Sequence, residues 1–166
     1  MGVCICQGHG AKIGLSLSKN LMGTLKKFLL DRGFSAMPLE RTRTDHLALS
    51  GSLNGVTGRF ILDTGASNTC VGLDRTERFR LLTEISEIRA AGAGAVDMET
   101  LVSDGNTLAL EGWERPDMQV VLFDLSHVNQ ALESQDEPPV DGILGADILH
   151  GGKAVIDYDS CNLYLK

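Results

Sequence analysis

No stretch of the 166 residues approaches the roughly 18 consecutive apolar positions that span a bilayer. Four cysteines are too few, and too unevenly spread, for a disulfide-stapled secreted scaffold: Cys4 and Cys6 sit together, while Cys70 and Cys161 lie far away. All four are therefore expected as free thiols. The start has no charged segment followed by a continuous apolar run, so no secretory signal is read and a reducing cytoplasm is the expected location. There is no internal repeat and no phosphate-cradling loop, since Gly151-Gly152-Lys153 runs into Ala154 and Gly8-His9-Gly10 has neither a preceding strand nor a third glycine. His-Glu-x-x-His and Gly-x-Ser-x-Gly are both missing, which removes zinc hydrolases and serine hydrolases together. Cys4, Cys6 and His9 match no zinc spacing, and no metal or cofactor is expected. Met1-Gly2 invites comparison with an acylation signal, but position 6 is Cys where that signal wants Ser or Thr. A flexible terminus is the preferred reading.

What is present describes a globular chain: 43% hydrophobic and 22% charged residues exclude a disordered or fibrous polymer. The length fits one domain with a tail, enough to bury roughly 70% of the unfolded surface. The net charge of −7 is uneven. Residues 1–44 carry seven Lys/Arg against Asp31 and Glu40, a net +5, which leaves −12 for residues 45–166. The chain thus divides into a basic N-terminal extension, 1–44, and an acidic body, 45–166. An acidic body is a poor match to a phosphate backbone, so no nucleic-acid partner is expected.

In the extension, Leu21, Met22, Leu25, Phe28 and Leu29 recur at spacings of three and four between Ser18 and Asp31, with Gly33 placed to stop the turn. This predicts one amphipathic helix. Its lysines would also suit a membrane surface, but packing on its own domain is the default. Ser35 to Thr44, with Pro38, reads as an extended connector.

From Asp45 the pattern changes to strands. His46 to Ser50 and Val56 to Leu62 flank Asn54-Gly55, the dipeptide of a tight hairpin. Asp74-Arg-Thr-Glu77 resembles a capping box that opens a short helix through Leu82. Ala90 to Gly112, rich in Gly and containing Asp104-Gly105-Asn106, reads as one long mobile hairpin. Met118 to Phe123 reads as a strand, Ser126 to Ser134 as a short helix, and Ala154 to Tyr158 with Asn162 to Leu165 as a closing hairpin. The body is mainly β.

One acid has an unusual setting. Asp63 ends the apolar strand Phe60-Ile61-Leu62 and opens a small hydroxylated loop that can hold a carboxylate in a fixed, partly desolvated place. Taken as three residues, Asp63-Thr64-Gly65 would be an ordinary Asx turn. The wider context is more specific. Phe60-Ile-Leu-Asp63-Thr-Gly-Ala-Ser67 resembles the active-site loop of aspartic proteases, and Val140-Asp-Gly-Ile-Leu-Gly145-Ala-Asp-Ile-Leu149 resembles that family's second signature, in the right order. The resemblance covers residues 45–166. Because Asp-Thr-Gly occurs once, it is to the single-domain, retropepsin-like (retroviral-type) members and their cellular and bacterial relatives.

The resemblance implies a mainly β fold: a closed acid-protease barrel with one or two short helices, to which the N-terminal helix is added. It implies an aspartic endopeptidase that is a homodimer, acts on a polypeptide, and pairs Asp63 with the same residue of a second copy. Thr64 would bond across the two-fold axis, Gly65 would allow close backbone approach, Ala66 would leave room for the dyad, and Ser67 would bond substrate main chain. Ile143, Leu144 and Gly145 would form the supporting loop, and Ala91, Gly92, Ala93 and Gly94 a hinge or tip of the flap. Retroviral enzymes usually carry Asp at the position of Ser67 and Arg at that of Ala146, an ion pair that this chain has lost at both ends. The alternative on the same fold is a non-catalytic dimeric module that binds peptides or regulates a partner. His46, His127 and His150 are read as surface or capped residues, Cys70 as a small buried hydrophobe, Asp147 as a helix cap or local backbone acceptor, and Asp141 as a turn acid.

Overall fold

Alternating apolar residues and tight-turn dipeptides fold the chain into three antiparallel or mixed sheets, of which the largest closes on itself. The computed structural model describes residues 25–85, 90–92, 95–98 and 100–166. Helix α1 spans residues 25–30, and Gly33, at φ 80°, ends it as expected, with the Phe34 N–H returning to the Leu29 carbonyl. The upstream half of the expected helix, residues 18–24, lies outside the described residues. So do Cys4, Cys6 and His9. The apolar stripe packs only in part: Leu29 is buried, whereas Leu25, Phe28 and Leu30 stay exposed and the Arg32 guanidinium stacks over the Phe28 ring at 3.5 Å. No helix among the described residues is long and apolar enough to cross a membrane.

The segment read as a connector is extended and hydrogen-bonded into the body. Strand β1 (Ser35–Pro38) pairs with the C-terminal strand β13 (Asn162–Leu165), and β2 (Glu40–Arg41) pairs with β3 (Leu47–Leu53). With β12 (Val155–Asp157), β1 and β13 form a three-stranded sheet whose centre is β13. Leu163 and Leu165 of that central strand reach into the main core.

The barrel has six strands. β3 runs through the Asn54-Gly55 turn into β4 (Val56–Leu62). Both turn residues have positive φ, 51° and 76°, as a two-residue hairpin requires. Around the ring follow β11 (Gly142–Leu144), β5 (Cys70–Gly72), β10 (Trp113–Phe123) and β9 (Leu101–Leu110). Pairing of Ser52 and Leu53 with Ala109 and Leu108 closes the circle. Phe60, Phe79, Leu53, Leu108, Leu122 and Leu144 fill it without solvent exposure. Strand β6 (Glu84–Ile85) adds to β9, and β7 (Ala90–Gly92) pairs with β8 (Ala95–Met98). Helices α2 (Ser126–Glu133) and α3 (Ala146–Gly151) complete the mainly β fold that was expected.

Two local expectations fail for physical reasons. Asp74 to Glu77 does not open a helix to Leu82. Only a 3₁₀ turn forms at Leu73–Arg75, with no side-chain cap, and Arg80 breaks the path at φ 56°. Phe79 and Leu81 are both drawn into the core, an alternation that a helix cannot provide. The stretch from Ala90 to Gly112 is not one hairpin either, because its second half is barrel strand β9. Gly105, at φ 70°, takes up an irregularity inside that strand, and the real turn lies at Glu111-Gly112, where Leu110 pairs with Trp113. Strand β10 therefore starts five residues before the expected Met118. Buried Asn106 stabilises the irregularity by donating to the Ser103 carbonyl, 2.8 Å, and accepting from Asn54, 2.8 Å.

Candidate active site

Strand β4 delivers Asp63, and its parallel neighbour β11 holds it. Gly142, Ile143 and Leu144 stand opposite Phe60, Ile61 and Leu62, and the Asp63 N–H donates to the Leu144 carbonyl at 3.0 Å. Past Asp63 the chain turns sharply. The Gly65 N–H donates to Asp63 Oδ1 at 2.8 Å, and the Ala66 N–H lies 3.3 Å from the Asp63 carbonyl. The far end of the loop is fastened to the start of α3, because the Ala146 N–H donates to the Ala66 carbonyl at 2.8 Å.

Thr69 and Asp147 lock this arrangement. Buried Thr69 donates its N–H to Asp147 Oδ2, 3.0 Å, and its hydroxyl to Asp147 Oδ1, 2.8 Å, while accepting the Gly145 N–H at 3.1 Å. Asp147 Oδ1 also accepts its neighbour's N–H, that of Ile148, at 2.8 Å. The local acceptor expected of Asp147 is therefore present, and its main partner is the loop at the other signature. Both carboxylate oxygens of Asp147 are thus engaged in holding the loop.

Two glycines make the approach of the segments possible. A Cβ on Gly145 would stand 2.4 Å from the Asn68 carbonyl carbon, and one on Gly142 would stand 2.3 Å from the Cys70 carbonyl oxygen. Both obstacles are backbone, so neither position has room for a side chain. Of the supporting residues, Leu144 and Gly145 are buried and Ile143 half-buried.

The loop itself faces outward. Asp63, Thr64, Gly65 and Ser67 are exposed and Ala66 is half-buried. The partial desolvation expected for the Asp63 carboxylate is thus missing from the single chain. Among the described residues its Oδ2 has no hydrogen bond, and neither has the Thr64 hydroxyl. Cys70 lies just beyond, half-buried, with its thiol donating to the Asn68 carbonyl at 3.1 Å. Burial first, then the negative charges of Asp147 and Asp63, push that thiol up to about 12, so it stays protonated and non-nucleophilic at neutral pH. Cys161 is also a free thiol. Of the residues expected to form a flap, Ala91 and Gly92 lie on β7, and Ala93 and Gly94 lie outside the described residues. His46 is exposed, with its ring Nδ1 2.8 Å from the Thr44 hydroxyl, as a surface histidine should be.

Sequence reasoning passed over Thr69, Gly142 and above all Asp141. Asp141 is buried, not an ordinary turn acid, and its carboxylate meets the guanidinium groups of Arg75 and Arg78. The sequence offered only an acid between Val140 and Gly142 in an otherwise apolar stretch, which does not show what it pairs with.

A family model described as aspartyl protease matches residues 49–148. No curated protein matches the chain. Among solved structures, a retropepsin-like aspartic protease from Rickettsia conorii superposes with TM-score 0.55 at 16% identity, covering 80% of this chain and 90% of that one. The EIAV protease in complex with an inhibitor gives TM-score 0.48 at 21% identity, over 63% and 85% of the two chains. The retroviral protease-like domain of Ddi1 from Leishmania major gives 0.47 at 21%, over 73% and 94%.

Proposed function

The chain belongs to the aspartyl protease family and has the retropepsin-like fold, and from that premise we propose that it is an endopeptidase whose active site forms where the Asp63 loops of two copies meet. One observation carries the reading. The loop is fastened from behind, to Leu144, Ala146 and Asp147, yet presents Asp63 and Thr64 outward, with Asp63 Oδ2 and the Thr64 hydroxyl unused among the described residues.

A single carboxylate cannot act as base and acid at once. Two carboxylates about 3 Å apart cannot both ionise, so a facing pair shares one proton and fills both roles. A two-fold axis through the loop supplies the second member from the same residue of the second copy. The ionised Asp63 takes a proton from water as the water oxygen attacks the scissile carbonyl carbon. The protonated carboxyl of the other copy gives its proton to the carbonyl oxygen, producing a tetrahedral diol. Transfer of a proton to the amide nitrogen then lets the C–N bond break, which leaves a carboxylic acid and an amine. The mechanism calls for no covalent intermediate, metal or cofactor.

The remaining loop residues take supporting roles. Thr64 bonds across the axis and keeps the carboxylates coplanar, Gly65 and Ala66 leave space, and Ser67 meets the main chain of the substrate. An extended polypeptide suits such a cleft because it adds main-chain bonds in the manner of a strand. The hairpin of β7 and β8, with Ala91 to Gly94, is the candidate flap that closes over it and excludes water. Free Cys70 and Cys161 suit a reducing, cytoplasmic setting.

The test is cleavage of a peptide mixture by the full chain, inhibited by a statine-type transition-state mimic. Asp63→Asn should abolish turnover while leaving the solution mass and thermal transition unchanged. Retained turnover in that variant would refute the assignment. A verified dimer that neither cleaves nor binds the mimic would favour the non-catalytic module.

A further inference from the structure

Asp141 makes more connections than any turn acid needs, and they converge on the strands that carry the site. Its N–H donates to the Arg59 carbonyl at 2.8 Å, and the Arg59 N–H donates back to Asp141 Oδ2 at 2.9 Å. Its carbonyl accepts the Gly72 N–H at 3.0 Å, at the end of β5. Its Oδ1 accepts from Arg78 Nη1 and stands 3.2 Å from Arg75 Nε. Arg78 reaches on with Nη2 to the Thr57 carbonyl, 2.8 Å, on β4. Arg59 is held in turn: it donates to the Pro138 carbonyl at 2.7 Å and faces Glu40 at 3.2 Å and Glu137 at 3.7 Å. Besides these groups the cluster has Asp74 beside Arg75, at 3.5 Å.

The position of this cluster gives it a consequence. The Arg59–Asp141 exchange is the first rung of the parallel ladder that continues through Phe60 with Gly142, Ile61 with Ile143 and Leu62 with Leu144. The next bond beyond is the one from the Asp63 N–H to the Leu144 carbonyl. A one-residue slip in such a ladder would turn every side chain to the opposite face, so whatever fixes the first rung fixes where Asp63 points. From these contacts we infer that Asp141, clamped by Arg75 and Arg78, is a positioning residue for Asp63. It sets the register and tilt of β4 against β11 and so the separation of the two carboxylates. It acts through β4 and not on the reacting atoms. The inference rests on the proteolytic reading for its kinetic effect, but the mechanical part stands without it.

The experiment compares wild type, Asp141→Asn and Arg78→Gln as full-length protein. Loss of the clamp should lower kcat by about ten- to hundredfold with KM held within about twofold, because small misplacement of reacting groups acts on the chemical step. It should also narrow the gap between the two apparent pKa values of the bell-shaped pH profile, since carboxylates that move apart couple less. A residue that only held the fold together would scale the profile down without moving its limbs, and that outcome overturns the inference. Amide hydrogen exchange gives a readout independent of turnover. In the variants the Asp63 and Ala146 amides should exchange faster while those of Leu163, Tyr164 and Leu165 keep their protection. Equal loosening at both places overturns the inference even if wild type cleaves nothing, an outcome that would count separately against the protease reading. Arg78→Gln, which changes a half-exposed side chain, decides the matter if Asp141→Asn does not fold.

Discussion

Single positions in this chain are decided by space as much as by chemistry. Gly145 and Gly151 stand at the two ends of the same short helical segment, yet their environments are opposite. A methyl on Gly145 would strike the backbone of Asn68, whereas one on Gly151 would find only Arg115 Nη1 at an ordinary 3.7 Å. Gly145→Ala should therefore cost about 3 kcal/mol or more and displace the loop. Gly151→Ala, in an exposed helical position, should stabilise by about 0.5–1 kcal/mol. Urea midpoints of the two variants check both signs. At this scale the sequence was legible where the signal was local. Asp63 to Ser67 and Gly145 could be named because their meaning lies in their immediate neighbours. Asp141 could not, because Arg59, Arg75 and Arg78 reach it from other parts of the chain and nothing in Val140-Asp141-Gly142 announces them.

Elements were legible in proportion to how little they depend on tertiary contacts. The Asn54-Gly55 hairpin, helix α2 and the closing hairpin form where local signals put them. The failures came from signals with two structural meanings: Asp104-Gly105-Asn106 supplies positive φ equally well to a turn and to an irregular strand, and the barrel chose the strand. Asp74 to Glu77 has the residues of a helix cap, but burial of Phe79 and Leu81 outweighs it. The turn between β12 and β13 gives an element-level prediction. Asp157 accepts the Ser160 hydroxyl at 2.6 Å and the N–H groups of Asp159 and Ser160 at 3.1 and 3.3 Å. The Ser160 hydroxyl above all holds its carboxyl below the ordinary 3.8. The folded state then binds this proton less readily than the unfolded state, so the stabilisation is complete above the ordinary carboxylate range and is lost as pH falls through the lowered value. Asp157→Ala should melt about 2 °C below wild type at neutral pH, a small difference because the site is solvated. The two melting temperatures should converge as the pH falls through that lowered value, and thermal scans across pH would show it.

For the whole molecule the question is whether two acidic bodies meet. The net −12 over residues 45–166 opposes association at low salt, so the proposed contact would have to be specific. Thr64, exposed and with no hydroxyl bond among the described residues, is the residue proposed to supply it twice in a symmetric pair. At about 1 kcal/mol for each hydroxyl bond, Thr64→Ala should weaken the dimer by about thirtyfold. Sedimentation would detect the shift toward single chains, and specific activity would become dependent on protein concentration. The barrel's closure carries a different implication. β3 and β4 share seven residue pairs, but β3 and β9 share two, and so do β11 and β5. A ring fastened so briefly at these two seams opens there most readily, and each opening bares two raw edges able to recruit a strand from a neighbour. The same geometry that lets one chain enclose its core therefore marks where aggregation would start, one seam at the far end of β3 from the Asp63 loop and the other beside it.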